Sequence, residues 1–223
     1  MGKICIPIVE KTTEKALRSI KQVNRWADII ELRVDYLRGV KLPLFLENRK
    51  KPFIVTNRRK DEGGQYKGEE RKRLGVLQEA LDLGADYIDV EFSVERSFLQ
   101  RLLRDRRGAQ VILSFHDFRG TPSIKELQKL FGQMIQLGAD VIKIVSFARS
   151  WEDNLSVLSL IPLAKERRQK IVAFCMGEKG KISRIFSPFF GAAWTYASID
   201  RARVSASGQM TVRELKDTWE KMR

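Results

Sequence analysis

Metal-binding side chains are scarce in this chain: it holds one histidine, His116, and two widely separated cysteines, Cys5 and Cys175. A zinc site built from His and Cys takes three or four such ligands, so that chemistry is excluded. Each cysteine lies in a short apolar run that reads as a strand, which predicts reduced, buried thiols in a cytoplasmic protein. No apolar run approaches the roughly 20 residues of a membrane span. The opening Met1-Gly2-Lys3-Ile4-Cys5-Ile6-Pro7 lacks the length and the small-residue cleavage site of a signal peptide, so none is expected. Glycine-based signatures are missing as well. The stretch Gly177-Glu178-Lys179-Gly180-Lys181-Ile182 has no Ser or Thr after its Gly-Lys, and Cys175 stands where a P-loop needs its first glycine. There is no Gly-x-Ser-x-Gly elbow. No glycine fingerprint follows the first apolar run, which counts against a doubly wound dinucleotide-binding sheet.

Positive charge, by contrast, is abundant. Against 28 Asp and Glu stand 42 Lys and Arg, a net charge of +14. The basic residues are spread along the chain rather than gathered into a block interleaved with aromatics. They predict a solvated surface and an anion-attracting site for a small molecule, not a nucleic-acid platform. With 43% hydrophobic and 31% charged residues, the composition is that of a protein with a sizeable core. Its length suits one domain over residues 1–223.

Three segments repeat one pattern, Ala-Asp-x-Ile-charged-apolar: Ala27–Leu32, Ala85–Val90 and Ala139–Ile144. They start 58 and 54 residues apart, the length of two βα units rather than one. Leu83-Gly84 and Leu137-Gly138 precede the second and third, where glycine suits the left-handed position just past a helix. Further strand-like runs lie between the repeats and bring the total to eight, near residues 3–9, 28–34, 53–58, 86–92, 110–116, 141–146, 170–176 and 193–197. Helical spacing fills the gaps. Leu74, Leu77 and Leu81 recur on one face between Glu69 and Leu83, and Ser123 is placed to cap a helix three residues before Glu126. Eight strand–helix units at about 28 residues each predict a (β/α)8 TIM barrel in a single domain.

Several strands carry charges on one face. In the second, Ile30, Leu32 and Val34 oppose Glu31, Arg33 and Asp35; in the fourth, Ile88, Val90 and Phe92 oppose Asp89 and Glu91; in the sixth, Ile142 and Ile144 oppose Lys143. Helices cover the apolar faces, so the charges must point into the barrel, with Glu31, Asp89 and Lys143 at similar depth. Unpaired, they would be too costly to bury. They must therefore pair with one another or face a cavity at the strands' C-terminal ends, where barrel active sites form. Arg58 and His116, read as the ends of the third and fifth strands, point to the same place.

These segments, taken in order, are similar to those of type I 3-dehydroquinate dehydratases. The matching residues are Glu31-Leu32-Arg33-Val34-Asp35, Arg58 with Glu62-Gly63-Gly64, Ser114-Phe115-His116-Asp117-Phe118, Lys143-Ile144, Ile182-Ser183-Arg184 and Ser205-Ala206-Ser207-Gly208-Gln209. Ser207 departs from the family, which usually has proline before this Gly-Gln. The resemblance implies a Schiff-base enzyme of the shikimate pathway that removes water from 3-dehydroquinate without metal or organic cofactor. Lys143 would form the imine, freed for attack by partial desolvation and nearby arginines. His116 would carry the protons, oriented by Glu62. Arg184 would hold the substrate carboxylate, with Ser205 and Gln209 above it; the small residues and Gly208 of the segment 201–209 predict in turn that it forms a mobile lid. Glu31, Arg33 and Arg58 would bind ring hydroxyls and set the field around the lysine, while Met176 and Tyr196 would serve as apolar walls or as core packing. A homodimer, the family's usual assembly, is also allowed. Two alternatives stay open at this point. A class I aldolase or transaldolase would share the barrel and the lysine, but no glycine-rich phosphate cradle follows the last two strand runs. A basic RNA-binding protein would show steeply salt-dependent binding and no turnover.

Overall fold

Period-two alternation places one residue set of each strand inside and the other outside, and the structure follows it closely. The computed structural model describes residues 2–47 and 49–222. Its elements run β1 (Ile4–Ile8), α1 (Thr13–Val23), β2 (Ile29–Arg33), α2 (Pro43–Leu46), β3 (Phe53–Thr56), α3 (Glu70–Asp82), β4 (Tyr87–Glu91), α4 (Arg96–Arg104) and β5 (Gln110–Asp117). They continue with α5 (Ile124–Gln136), β6 (Val141–Phe147), α6 (Asp153–Leu158), α7 (Leu160–Glu166), β7 (Lys170–Met176), α8 (Lys181–Phe190), β8 (Thr195–Tyr196) and α9 (Val212–Lys221). All pairings are parallel, in the order β7-β6-β5-β4-β3-β2-β1-β8, so the chain forms a single, nearly closed (β/α)8 barrel.

Two apolar layers hold it together. Ile30, Leu32, Val55, Ile88, Val90, Leu113, Ile142 and Ile144 pack outward under the helices with Leu77, Leu81, Leu127 and Phe131. The inner layer is made of strand residues, among them Cys5, Ile29, Ile54, Ile112 and Val172, joined by Trp194 just before β8. Both cysteines are free and buried. Local chemistry fixes the helix ends. Ser123 caps α5 in a reciprocal box with Glu126, Thr211 does the same for α9 with Glu214, and Gly84 and Gly138 adopt the left-handed conformation at φ +74° and +83°.

Three boundaries differ from the sequence pattern. β3 ends at Thr56, two residues before Arg58, because Asn57 turns its side-chain amide onto the Arg73 carbonyl of α3. Asp35 lies beyond β2 in a 3-10 turn, where its carboxylate receives Arg33 through two hydrogen bonds. β8 is shorter than the expected 193–197, and among the described residues no ladder joins it to β7. The Ala193 N–H donates across this seam to the Ile171 carbonyl at 2.8 Å. Bulky Trp194 and Tyr196 fill the interior beside it, and the Thr195 hydroxyl donates to the Arg184 carbonyl of α8.

Candidate active site

Charges inside a barrel persist only where each meets a partner. Lys143, on β6, projects inward with 5% of its surface exposed. Its Nζ lies 2.9 Å from Asp89 Oδ2 of β4, 3.5 Å from Glu31 Oε1 of β2 and 4.6 Å from the centre of the Tyr196 ring. The Thr56 hydroxyl also donates to Glu31. Asp89 accepts in addition from Arg58 and from the Ser114 hydroxyl, both at 2.6 Å. Burial works to raise the Asp89 carboxyl; Arg58 and Lys143 overcome it and hold the group well below the usual carboxylate range. The paired-charge expectation therefore holds, with Glu31, Asp89 and Lys143 at one depth. The expected nearby arginine is Arg58, one carboxylate removed from the lysine. The charges that touch it are carboxylates, and Arg58 reaches it only through Asp89.

Above this layer His116, near the end of β5, faces Glu62 of the β3–α3 loop, with Nδ1 and Oε2 3.4 Å apart. Burial, reinforced by Arg58 and Lys143, pushes the imidazole well below its ordinary value, so it is neutral at physiological pH. Burial pushes the Glu62 carboxyl up to about 7, opposed by Arg58 and by a hydrogen bond from Ser93. With the imidazole neutral, the contact is a hydrogen bond between His116 and Glu62, not a fixed ion pair. Phe118 stacks on the imidazole, ring centres 6.3 Å apart.

Arg184, on α8, is 2% exposed and has no carboxylate partner among the described residues. It packs over the Phe174 ring, its Nη2 donates to the Ser207 carbonyl at 3.4 Å, and its Nε is unpartnered. Burial alone pushes its guanidinium down to about 10, so it remains charged at neutral pH. Over it lies the 201–209 segment. Gln209 accepts from the backbone N–H and hydroxyl of Ser205, which leaves its buried Nε2 unpartnered. The Gly177 N–H donates to the Ser207 carbonyl at 3.1 Å. Gly208 is required there, because a Cβ would stand 2.1 Å from the Gly177 oxygen. Ser207 fastens the loop through its carbonyl, a group that proline also has.

All nine residues singled out from the sequence, Glu31, Arg33, Arg58, Glu62, His116, Lys143, Arg184, Ser205 and Gln209, line one cavity of about 500 Å³, including its mouth, at the C-terminal ends of the strands. Met176 and Tyr196 line it too, while also packing in the inner apolar layer. Arg33 reaches it while paired to Asp35. Asp89 is a site residue beyond those nine, bonded to both Lys143 and Arg58. Its inward position was visible, but its place as the shared partner of Lys143 and Arg58 depends on barrel closure. Ser93 and Arg73 were not singled out, since neither an exposed serine nor a helical arginine announces which carboxylate it meets.

Comparison with known proteins agrees with this geometry. The family model described as type I 3-dehydroquinase matches residues 4–223. The 3-dehydroquinate dehydratase of Methanocaldococcus jannaschii is 35% identical over 221 residues, 98% of each chain. Among solved structures, the 3-dehydroquinate dehydratase of Geobacillus kaustophilus superposes with a TM-score of 0.90 at 26% identity, covering 100% of this chain and 91% of that one. The type I enzyme from Clostridium difficile, solved with covalently modified comenic acid, gives 0.86 at 26% identity over 99% and 92%. The chain belongs to the type I 3-dehydroquinase family.

Proposed function

We propose that this protein is a 3-dehydroquinate dehydratase that works through an imine on Lys143. The observation that carries the reading is one cavity holding a buried lysine, a neutral histidine and the uncompensated guanidinium of Arg184. Arg184 and the free Gln209 amide supply donors for a carboxylate. Anchoring that group brings the substrate ketone to Lys143. Asp89 and Glu31 hold the lysine in place; Glu31 takes one proton from the ammonium, which frees the amine to attack the ketone, and that proton goes back to the carbinolamine hydroxyl as it departs. Attack and loss of one water give the protonated imine, which acidifies the adjacent C–H bond. His116 removes that proton, and its low affinity for protons makes it a ready donor to the departing hydroxyl, which leaves as water. Hydrolysis consumes one water, restores the ketone of 3-dehydroshikimate and frees the amine. One water is lost overall.

Glu62 orients His116, and Glu31, Arg33 and Arg58 supply polar contacts for the ring hydroxyls. Free buried thiols at Cys5 and Cys175 support a cytoplasmic location, where disulfides are rare. Among the described residues no helix is long and apolar enough to cross a membrane. Exposed Trp151 and Leu155, at and beside α6, and Phe189 and Phe190 of neighbouring α8 support assembly as a homodimer. Incubation with 3-dehydroquinate should produce the ultraviolet absorbance of the conjugated product. Turnover of sugar phosphates with none of 3-dehydroquinate would refute the reading.

A further inference from the structure

Arg73 belongs to α3, outside the barrel, yet it is completely buried. Its Nε and Nη2 grip the two oxygens of Glu70 at 2.7 and 2.8 Å. Its Nη1 donates to the Asn57 carbonyl and to Glu91 Oε2, each at 2.7 Å. Glu91 sits at the top of β4 with no exposure of its own. Its second oxygen, Oε1, receives the Arg59 backbone N–H at 3.2 Å and lies 3.2 Å from Arg58 Nη1. Charges therefore alternate without a break from the site to the outer helix: Lys143, Asp89, Arg58, Glu91, Arg73, Glu70. Asn57, Arg58 and Arg59, the three residues that lead into the loop bearing Glu62, are all held by this chain. Glu62 itself is held by the Ser93 hydroxyl, by Arg58 3.9 Å away and by its own N–H, which donates to the Arg59 carbonyl at 3.2 Å, besides its contact with His116.

We propose that Arg73 is a positioning residue for the dehydration: by fixing Glu91 it sets Arg58 and the start of the loop that presents Glu62 to His116. The proposal rests on the functional reading above. A buried clasp that served the fold alone would not need to end on the backbone of that loop. Without Arg73, Glu91 faces Arg58 with one oxygen unpaired, Arg58 is drawn from Asp89, and Glu62 loses its place beside the imidazole. Lys143 keeps both carboxylate partners, so imine formation survives while proton transfer slows. Misplacement of a reacting group by about 1 Å lowers rates on the order of 100-fold.

The test is a double-mutant comparison of Arg73→Met with Glu62→Gln. Arg73→Met should lower kcat about 10- to 100-fold and raise KM through the displaced Arg58, while borohydride and substrate still mark Lys143. On the Glu62→Gln background the same change should alter kcat by less than about twofold, since the group it positions is already gone. Should Arg73→Met fail to fold, Arg73→Lys takes its place in both backgrounds, because one ammonium lacks the two-sided grip that joins Glu70 to Glu91 and Asn57. An equal loss on both backgrounds, or none on either, overturns the proposal and leaves the reaction assignment standing. A Glu62→Gln enzyme with unaltered kcat overturns the role of Glu62 and the proposal with it.

Discussion

Replacing Arg184 by methionine should stabilise the protein and nearly abolish its activity in the same step. The guanidinium is buried with no carboxylate against it among the described residues, and burial takes its pKa down to about 10, about 2.5 below its ordinary value. At about 1.36 kcal/mol per unit, folding with this charge costs on the order of 3 kcal/mol. The sign follows from the depressed value. Below pH 10 the side chain is charged in both folded and unfolded states, so the full cost is present at neutral pH; it fades only as pH rises through 10 and the folded form sheds its proton. Methionine keeps the apolar contact with Phe174 and removes the charge. In a chain of this length, recovery of the whole cost raises Tm by about 6–12 °C. Activity moves the other way. Two charge-assisted hydrogen bonds to a carboxylate are worth at least about 3 kcal/mol together, so kcat/KM should fall more than about 100-fold, chiefly through KM. Thermal melts and steady-state assays on one preparation read both quantities. A variant with a lower Tm and KM within twofold of the parent would refute the idea that Arg184 is kept, against stability, to hold an anion.

Removal of the proton carrier should separate the two halves of the reaction: His116→Ala should still trap substrate on Lys143 but lose about 10²–10⁴-fold in kcat, and near-normal turnover would assign the proton to another group. Stability should depend on Glu62 in a pH-specific way. Its pKa is raised to about 7, so as pH climbs from 4.5 the unfolded carboxyl ionises first and stability is lost up to pH 7. Glu62→Gln should therefore gain on the order of 3 kcal/mol relative to the parent between pH 4 and pH 8 in urea melts, and equal pH dependence in both proteins would contradict the shift. Residues 201–209 should act as a lid: their hydrogen exchange should slow on addition of substrate, because ordering the loop costs roughly 1–2 kcal/mol per fixed residue and ligand contacts from Ser205 and Gln209 must offset it. Equal exchange with and without ligand would show a static cover.

What could be read before the structure was whatever depends on local periodicity. The Ala-Asp-x-Ile-charged repeat exposed the βα units, and alternation within it sent Glu31, Asp89 and Lys143 inward, where they meet within 3.5 Å. Capping by Ser123 was equally local and came out as expected. The roles of the remaining site residues came from family resemblance rather than from periodicity. What stayed hidden depends on distances across the closed barrel. No pattern along the chain shows which carboxylates touch Lys143, or that burial shifts His116 and Glu62 in opposite directions. The short β8 is of the same kind, since its ladder depends on how Trp194 and Tyr196 fill the interior. Asn57 carried no visible meaning in the sequence and proves to fasten α3 to the site through Arg73.

The central claim, an imine on Lys143, is tested most directly by reduction with borohydride in the presence of 3-dehydroquinate, followed by peptide mass spectrometry. The account predicts one covalent adduct, on Lys143, absent without substrate and absent from Lys143→Ala. An adduct on another lysine, or none from an enzyme that is turning over, would contradict it.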